Sequence, residues 1–378
     1  MAHSASRRGF LGAGFSLVAG AQAGAQIGSE EPVMKYRTLG KTGLKVSVLG
    51  FGCMTTSDAT VIEQAADAGV TYFDTARGYQ NGNNERMVGA ALKGRREKIT
   101  LSSKSKSSTY AQAMGHLETS LKELQTDHLD IWYLHALSDS SEVKDELLDA
   151  QDEAKRQGKI RFRGVSTHSN MTELIPYLVK KGRTDVILTA YNFTMDAKMD
   201  STLKAAADAG IGFVAMKVMA GGFRSNKPGS PLHEKFAREG AMAAALKWAV
   251  RNPYISTSVP GIMDLDQLDE NFKAVASGWA ESDRTVLAAQ FEAIRPIYCS
   301  MCNTCGGVCA KGLPVSDIIR YVSYAEGYGE FQLGLENYRT IPAELQSIHC
   351  EDCAQCSVRC PNGVHVAQRV SRAREIFA

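Results

Sequence analysis

From Met34 to about Ser277 the chain alternates short β-rich runs with longer stretches whose apolar positions recur every three or four residues. The pattern predicts strands over Val46–Phe51, Thr71–Asp74, Ile99–Ser103, Leu129–Leu134, Ile160–Val165, Val186–Ala190, Gly212–Met216 and Ser256–Val259. Helices are predicted between them, among them Asp58–Ala68, Tyr110–Leu124, Glu142–Gln157, Thr202–Ala209 and Ala241–Val250. Eight β-then-α units in about 245 residues have the size and rhythm of a TIM (β/α)8 barrel. A doubly wound open sheet would favour a G-x-G-x-x-G turn after the first strand. Here Leu49-Gly50-Phe51-Gly52 runs into Cys53-Met54-Thr55 without the third glycine. From Arg284 the alternation stops, so a boundary falls near residues 278–284. The expected organisation is α/β: a barrel over 34–280 and a C-terminal, mainly helical domain over 284–378, with one helix at Leu313–Tyr324.

The first residues read differently. Ser6-Arg7-Arg8-Gly9-Phe10-Leu11 leads an apolar stretch from Phe10 to Gly20 and then the small residues around Ala21-Gln22-Ala23. That order is expected of a twin-arginine signal over residues 1–25, with a frayed basic terminus as the bland alternative. The route exports folded proteins, which suits a chain that loads cofactors first, and it places the mature protein in the periplasm. The formal charge of +2 contains no lysine/arginine block, which argues against nucleic acid as a partner. No run of about 20 apolar residues offers a membrane span.

Chemistry in such a barrel sits at the C-terminal ends of the strands. Three successive strands end in Tyr72-Phe73-Asp74, in Ser102-Ser103-Lys104 and in Tyr133-Leu134-His135, and Tyr79 follows Asp74 by five residues. A free phenol has a pKa of about 10, and an adjacent ammonium is expected to lower it. Lys104 can supply that charge, Asp74 can hold Lys104 protonated, and His135 can orient a substrate oxygen beside Tyr79. Together they form a proton donor facing a carbonyl.

These residues resemble the aldo/keto reductase family. The matching text is Phe73-Asp74-Thr75-Ala76-x-x-Tyr79 with Asn84-Glu85, then Ser103-Lys104, Tyr133-Leu134-His135, Ser258-Val259-Pro260-Gly261 and Glu270-Asn271, over about residues 34–277. The resemblance implies hydride exchange between a nicotinamide cofactor, NADP(H) or NAD(H), and a small carbonyl or alcohol substrate. It makes Tyr79 the general acid, Lys104 and Asp74 its tuners, and His135 the residue that orients the carbonyl. It implies cofactor contacts at Gly52, Cys53, Met54, Ser166, Met216, Lys217, Ser258, Pro260, Gly261, Gln267, Glu270 and Asn271. Departures are visible: His168 replaces part of a serine-asparagine pair, Leu188 stands where many members have glutamine, and Met216-Lys217 replace a stacking tyrosine. Asp264 follows Pro260-Gly261 where users of the 2′-phosphate carry a base. Lys217 and Arg224 are candidates to compensate, and Met216 serves equally well as core filler.

Eight of the nine cysteines fall in two runs, Cys299-x2-Cys302-x2-Cys305-x3-Cys309 and Cys350-x2-Cys353-x2-Cys356-x3-Cys360-Pro361. This is the bacterial ferredoxin spacing written twice, in which the fourth cysteine of each run serves the other cluster. One 4Fe-4S cluster is then expected on Cys299, Cys302, Cys305 and Cys360, and a second on Cys350, Cys353, Cys356 and Cys309. Local binding by each run is the rival, and zinc or disulfides are the other uses of such cysteines. The expectation is an iron-sulfur aldo/keto reductase with a ferredoxin-like tail and a one-electron redox partner. The alternative is an electron-transfer or ligand-binding protein whose barrel no longer uses nicotinamide.

Overall fold

The computed structural model describes residues 33–222, 240–350, 353 and 355–378. The signal expected over residues 1–25 lies outside them, as does Arg224.

The chain opens with an antiparallel hairpin, β1 (Tyr36–Thr38) and β2 (Lys45–Ser47). Eight parallel strands follow: β3 (Phe51–Gly52), β4 (Tyr72–Asp74), β5 (Thr100–Ser105), β6 (Leu129–Leu134), β7 (Ile160–Thr167), β8 (Val186–Ala190), β9 (Gly212–Met216) and β10 (Ile255–Ser258). They lie side by side in chain order from β3 to β10. Parallel bridges Leu49↔Ser258 and Gly52↔Gly261 join the two edges, so the sheet closes on itself as a TIM barrel.

One expected strand is divided. Val46–Phe51 reads as a continuous apolar run, but Lys45–Ser47 belongs to the hairpin and only Phe51–Gly52 enters the barrel. Between them the Ser47 hydroxyl donates to the Leu49 carbonyl at 2.6 Å and accepts from the Thr71 amide at 2.9 Å, which turns the chain. Gly50 then crosses so near β10 that a Cβ would lie 2.9 Å from Thr257 Oγ1. The other expected strands match β4 to β10 to within two residues at each end.

Side chains alternate across the wall as pleating requires. In β6, Ile131 and Tyr133 point into the barrel with Leu39, Tyr72, Val186, Leu188 and Val214, all fully buried. Trp132 and Leu134 point outward to the helix layer, where they join Ile62, Leu117, Leu147, Leu178 and Leu203. The helices start where short polar side chains take the first free amides: Asp58 caps Ala59–Asp67, Thr109 caps Tyr110–Leu124 and Asp196 caps Ala197–Asp208. The hairpin seals the N-terminal end of the barrel, with Leu39 inside and the Lys41 amide donating to Gly210 O at 3.0 Å. The C-terminal ends of the strands are left as the mouth.

The barrel's last helix, Leu265–Ser277, stops at Gly278, whose φ of +75° favours glycine. After it the described elements are helices: Glu281–Ile294, Val315–Glu326, Phe331–Tyr338, Ala343–Gln346 and Val366–Phe377. The first packs Leu287 on Ala244 and Ala245 of the Ala241–Arg251 helix. The others surround a second core of Val322, Tyr338, Val370 and Phe377. Residues 32–378 form one compact unit, so the change of architecture near residue 278 falls inside it. Among the described residues no helix is long and apolar enough to cross a membrane.

Gly164 of β7 marks the tightest point of the inner wall, since a Cβ there would lie 2.3 Å from the Tyr133 ring. Gly164→Ala should therefore cost about 1–3 kcal/mol by overpacking, read as a lower midpoint in denaturant unfolding. An unchanged midpoint would contradict this packing.

Candidate active site

The mouth is organised around Lys104, which is 1% exposed at the end of β5. An ammonium there needs compensation. Its Nζ donates to Asp74 Oδ2 and to the Thr75 carbonyl at 2.8 Å, and Ser102 Oγ donates to the other carboxylate oxygen at 2.8 Å. The register makes this possible, because Asp74 pairs directly with Ser102 across β4 and β5.

The loop carrying Tyr79 is fixed from below by the next helix. Asn84 accepts from Thr75 Oγ1 at 2.6 Å and donates to the Cys53 carbonyl at 2.7 Å. Glu85, fully buried, accepts from Ser103 Oγ at 2.6 Å and pairs with Arg77. The Arg77 amide donates to the Lys104 carbonyl at 2.9 Å. Tyr79 is thereby set beside the ion pair, with Lys104 Nζ 5.0 Å from its ring centre, and faces His135 edge-on at 6.0 Å between ring centres. All four members of the expected quartet share one mouth.

The electrostatics correct one expectation. Lys104 does not lower the Tyr79 phenol, which is raised well above its ordinary value, first by desolvation and then by Asp74 and Tyr324. The reason is directional: the ammonium points at Asp74 and the Thr75 carbonyl and meets Tyr79 only over the ring. The phenol is held protonated, as a proton donor must be. His135 is brought down to about 3 by desolvation and then by Lys104, Lys106 and Lys217, so its imidazole is neutral near pH 7.

Of the residues expected at the cofactor edge, Gly52, Ser258, Pro260 and Gly261 meet where the barrel closes. The Gly50 amide donates to Ser258 O at 2.7 Å and the Gly52 amide to Pro260 O at 3.0 Å, and a Cβ on Gly52 would lie 2.8 Å from Val259 O. Cys53 is fully buried, its thiol pushed up by burial, and Met54 lies beside it at the rim. Ser166 Oγ accepts from the Ala136 amide at 2.8 Å. The Ser258 and Thr55 hydroxyl oxygens are buried without a partner among the described residues. Gly261 is exposed at the rim, and Asn271 and the half-buried Glu270 stand on the following helix. Its N-terminus is already capped by Asp264, whose carboxylate accepts from the Gln267 amide at 2.8 Å. Leu188 lies in the barrel interior.

Sequence reasoning missed residues that the C-terminal helices bring to this mouth. Lys217, next to Met216 at the end of β9, has its Nζ 3.4 Å from Tyr324 Oη and 4.5 Å from that ring's centre. Tyr298 Oη accepts from Asn192 Nδ2 at 3.1 Å, and the same amide donates to Lys217 O at 3.1 Å. The four-residue spacing of Arg320 and Tyr324 was the available signal, since it sets both side chains along one face of the Val315–Glu326 helix, with Tyr328 just past its end.

None of the nine cysteines is in a disulfide. The two runs lie in turns between helices and are stitched by paired hydrogen bonds between Gly306 and Arg359 at 2.9 and 2.7 Å. Burial pushes the Cys299 thiol up to about 12, with Cys302, Cys305 and Cys360 close enough to add to it. Cys309 and Cys350 pack on the same helical core. Among the described residues no group of three or more His, Cys, Asp or Glu side chains is set to hold a metal ion.

The aldo/keto reductase family profile matches residues 49–283. An uncharacterized oxidoreductase, YqkF of Bacillus subtilis, is 25% identical over 70% of this chain and 98% of its own length. L-galactose dehydrogenase of Arabidopsis thaliana is 26% identical over 64% of this chain and 88% of its own. Among solved structures, the holo form of an aldo-keto reductase from Bacillus halodurans superposes with a TM-score of 0.59 at 27% identity, over 68% of this chain and 96% of the other.

A neutral His135 has a consequence for pH. Below about 6.5 the unfolded imidazole takes up a proton that the folded one refuses until about 3. Stability should therefore fall as pH drops through that window and owe nothing to His135 above it. Imidazole NMR should show His135 neutral from pH 8 to about 4; a midpoint between 6 and 7 would refute the assignment.

Proposed function

The chain belongs to the aldo/keto reductase family, and from that premise we propose that its barrel mouth exchanges hydride between a nicotinamide dinucleotide and a small carbonyl or alcohol. The observation that carries the reading is the buried Lys104–Asp74 pair beside a protonated Tyr79 that faces a neutral His135. In carbonyl reduction Tyr79 gives its proton to the substrate oxygen and takes one back in alcohol oxidation. His135, uncharged, can donate an N–H to that oxygen without adding another cation to the mouth. Lys104, held by Asp74, keeps a fixed positive charge where negative charge develops.

The bound dinucleotide would supply the hydride. Gly52, Cys53, Met54, Ser166, Met216, Ser258, Pro260, Gly261, Gln267, Glu270 and Asn271 are the residues that would hold it, and the unpartnered hydroxyls of Ser258 and Thr55 support the fit. Residues 260–270 contain no lysine or arginine, and Asp264 already caps the helix. A 2′-phosphate gains no cation there, so in this reading NAD(H) is accepted as well as NADP(H).

In the same proposal the two cysteine runs hold two 4Fe-4S clusters, one on Cys299, Cys302, Cys305 and Cys360 and one on Cys350, Cys353, Cys356 and Cys309. The doubled spacing, cysteines held in no disulfide and the Gly306–Arg359 stitch support it. Such clusters would connect the mouth to a one-electron partner, in a ferredoxin-like tail. The leader residues around Arg7-Arg8 support export to the periplasm. A second reading, a barrel that has given up nicotinamide, is favoured by one observation: the Tyr324 and Tyr328 rings lie on Lys217 at the end of the seventh barrel strand.

Mass spectrometry of full-length protein purified without oxygen should find a bound dinucleotide, with about eight iron and eight acid-labile sulfides per chain. Tyr79→Phe should reduce carbonyl turnover about 10²–10⁴-fold and leave both cofactors in place. Absence of dinucleotide would reject hydride transfer, and zinc without iron would reject the clusters.

A further inference from the structure

The mouth holds a positive charge that the quartet does not use. Lys217 stands at the end of β9 with φ of +57°, a left-handed conformation that a non-glycine residue adopts only where the surroundings enforce it. Among the described residues no carboxylate lies within ion-pair distance of it; its neighbours are the Tyr324 hydroxyl at 3.4 Å and the faces of Tyr324 and Tyr328 at 4.5 and 5.4 Å. Arg320, one turn before Tyr324 on the Val315–Glu326 helix, adds a second cation. It pairs with Asp317 at 3.0 Å and approaches Tyr321 Oη at 3.5 Å through Nη2, while its buried Nε has no partner.

Two more buried polar atoms are left open here, His168 Nδ1 and Tyr328 Oη. The His168 ring lies tilted at 57° to that of His135 with 6.4 Å between their centres, which ties this corner to the quartet. Desolvation and then Lys217 and Arg320 lower His168 well below its ordinary value, so it stays neutral. Burial raises the Tyr324 phenol, but Lys217 and Arg320 outweigh it and leave the phenol below its ordinary value. Two cations, one of them without a counter-charge among the described residues, and three polar atoms left open among those residues form an arrangement that an anion would complete. The anion would lie on the quartet side, where the His168 ring centre is 6.4 Å from that of His135.

We propose that Lys217, Arg320, Tyr324 and His168 form a carboxylate subsite, and that the substrates of the quartet are oxo acids or hydroxy acids whose carboxylate is held there while the carbonyl or carbinol faces Tyr79. The inference rests on the hydride-transfer reading only for that second half. The subsite is a joint product of β9 and the C-terminal helices, which makes the tail part of the substrate pocket.

Isothermal titration of the full-length protein, without added dinucleotide, with benzoate and with its neutral counterpart benzamide tests the subsite. Benzoate should bind at one site per chain and benzamide should not. Arg320→Gln and Lys217→Met should each weaken benzoate about 10- to 100-fold, the span of a lost charge-assisted hydrogen bond. Tyr324→Phe, which removes one oxygen, should weaken it less while keeping the fold, and circular dichroism checks all three. No benzoate binding by the wild type, or binding unchanged in Arg320→Gln and Lys217→Met, overturns the proposal. Inorganic pyrophosphate that displaces benzoate and binds more tightly also overturns it, by assigning these cations to a dinucleotide. Benzoate binding in protein that carries and accepts no dinucleotide would leave the subsite standing and remove the hydride-transfer reading alone.

Discussion

The structure of the mouth depends on one buried ion pair. Lys104 is almost wholly withdrawn from water, and only the Asp74 carboxylate and the Thr75 carbonyl make its charge tolerable. Holding that pair in register requires β4 and β5 to align Asp74 with Ser102, which in turn orients the carboxylate. The Asn84–Glu85 start of the next helix then ties down the Tyr79 loop through Thr75, Cys53 and Ser103. Removing one partner would leave an uncompensated charge in the barrel, so catalysis and local stability rest on the same contact.

The same economy of charge explains the state of the neighbours. With Lys104, Lys106 and Lys217 around it, a protonated His135 would add another like charge, and it stays neutral. Tyr79 keeps its proton because the ammonium serves Asp74 first. The C-terminal helices do not simply follow the barrel. They bring Tyr324 and Arg320 to its open end, and Tyr298, next to Cys299, reaches Asn192 and through it the backbone of Lys217. A cofactor held by the first cysteine run would therefore be one residue from a hydrogen-bonded path into the mouth.

Much of this was legible in the chain itself. Strands buried on both faces read as apolar runs, so β6, β8 and β9 match their sequence bounds. The quartet was legible because each member stands at or just past a strand end. The hairpin was not, since Val46–Phe51 is equally apolar in both of its parts and only the Ser47 and Gly50 contacts divide them. The direction of the Tyr79 shift was not, because it depends on where one ammonium points. Nor was the role of Arg320 and Tyr324, since an amphipathic helix announces that it covers something and not what. The cysteine spacing was plain, whereas the neighbourhood of Cys360 with Cys299, Cys302 and Cys305 depends on a turn-to-turn stitch far apart in sequence.

The central claim is that this mouth passes hydride directly between nicotinamide and carbon. Its most direct measurement is a single turnover of the full-length protein with reduced dinucleotide carrying deuterium at both C4 positions and a probe aldehyde, the alcohol being read by mass spectrometry. Direct transfer leaves one deuterium on the carbinol carbon. An alcohol without deuterium, or no alcohol at all from protein that holds the dinucleotide, would contradict it.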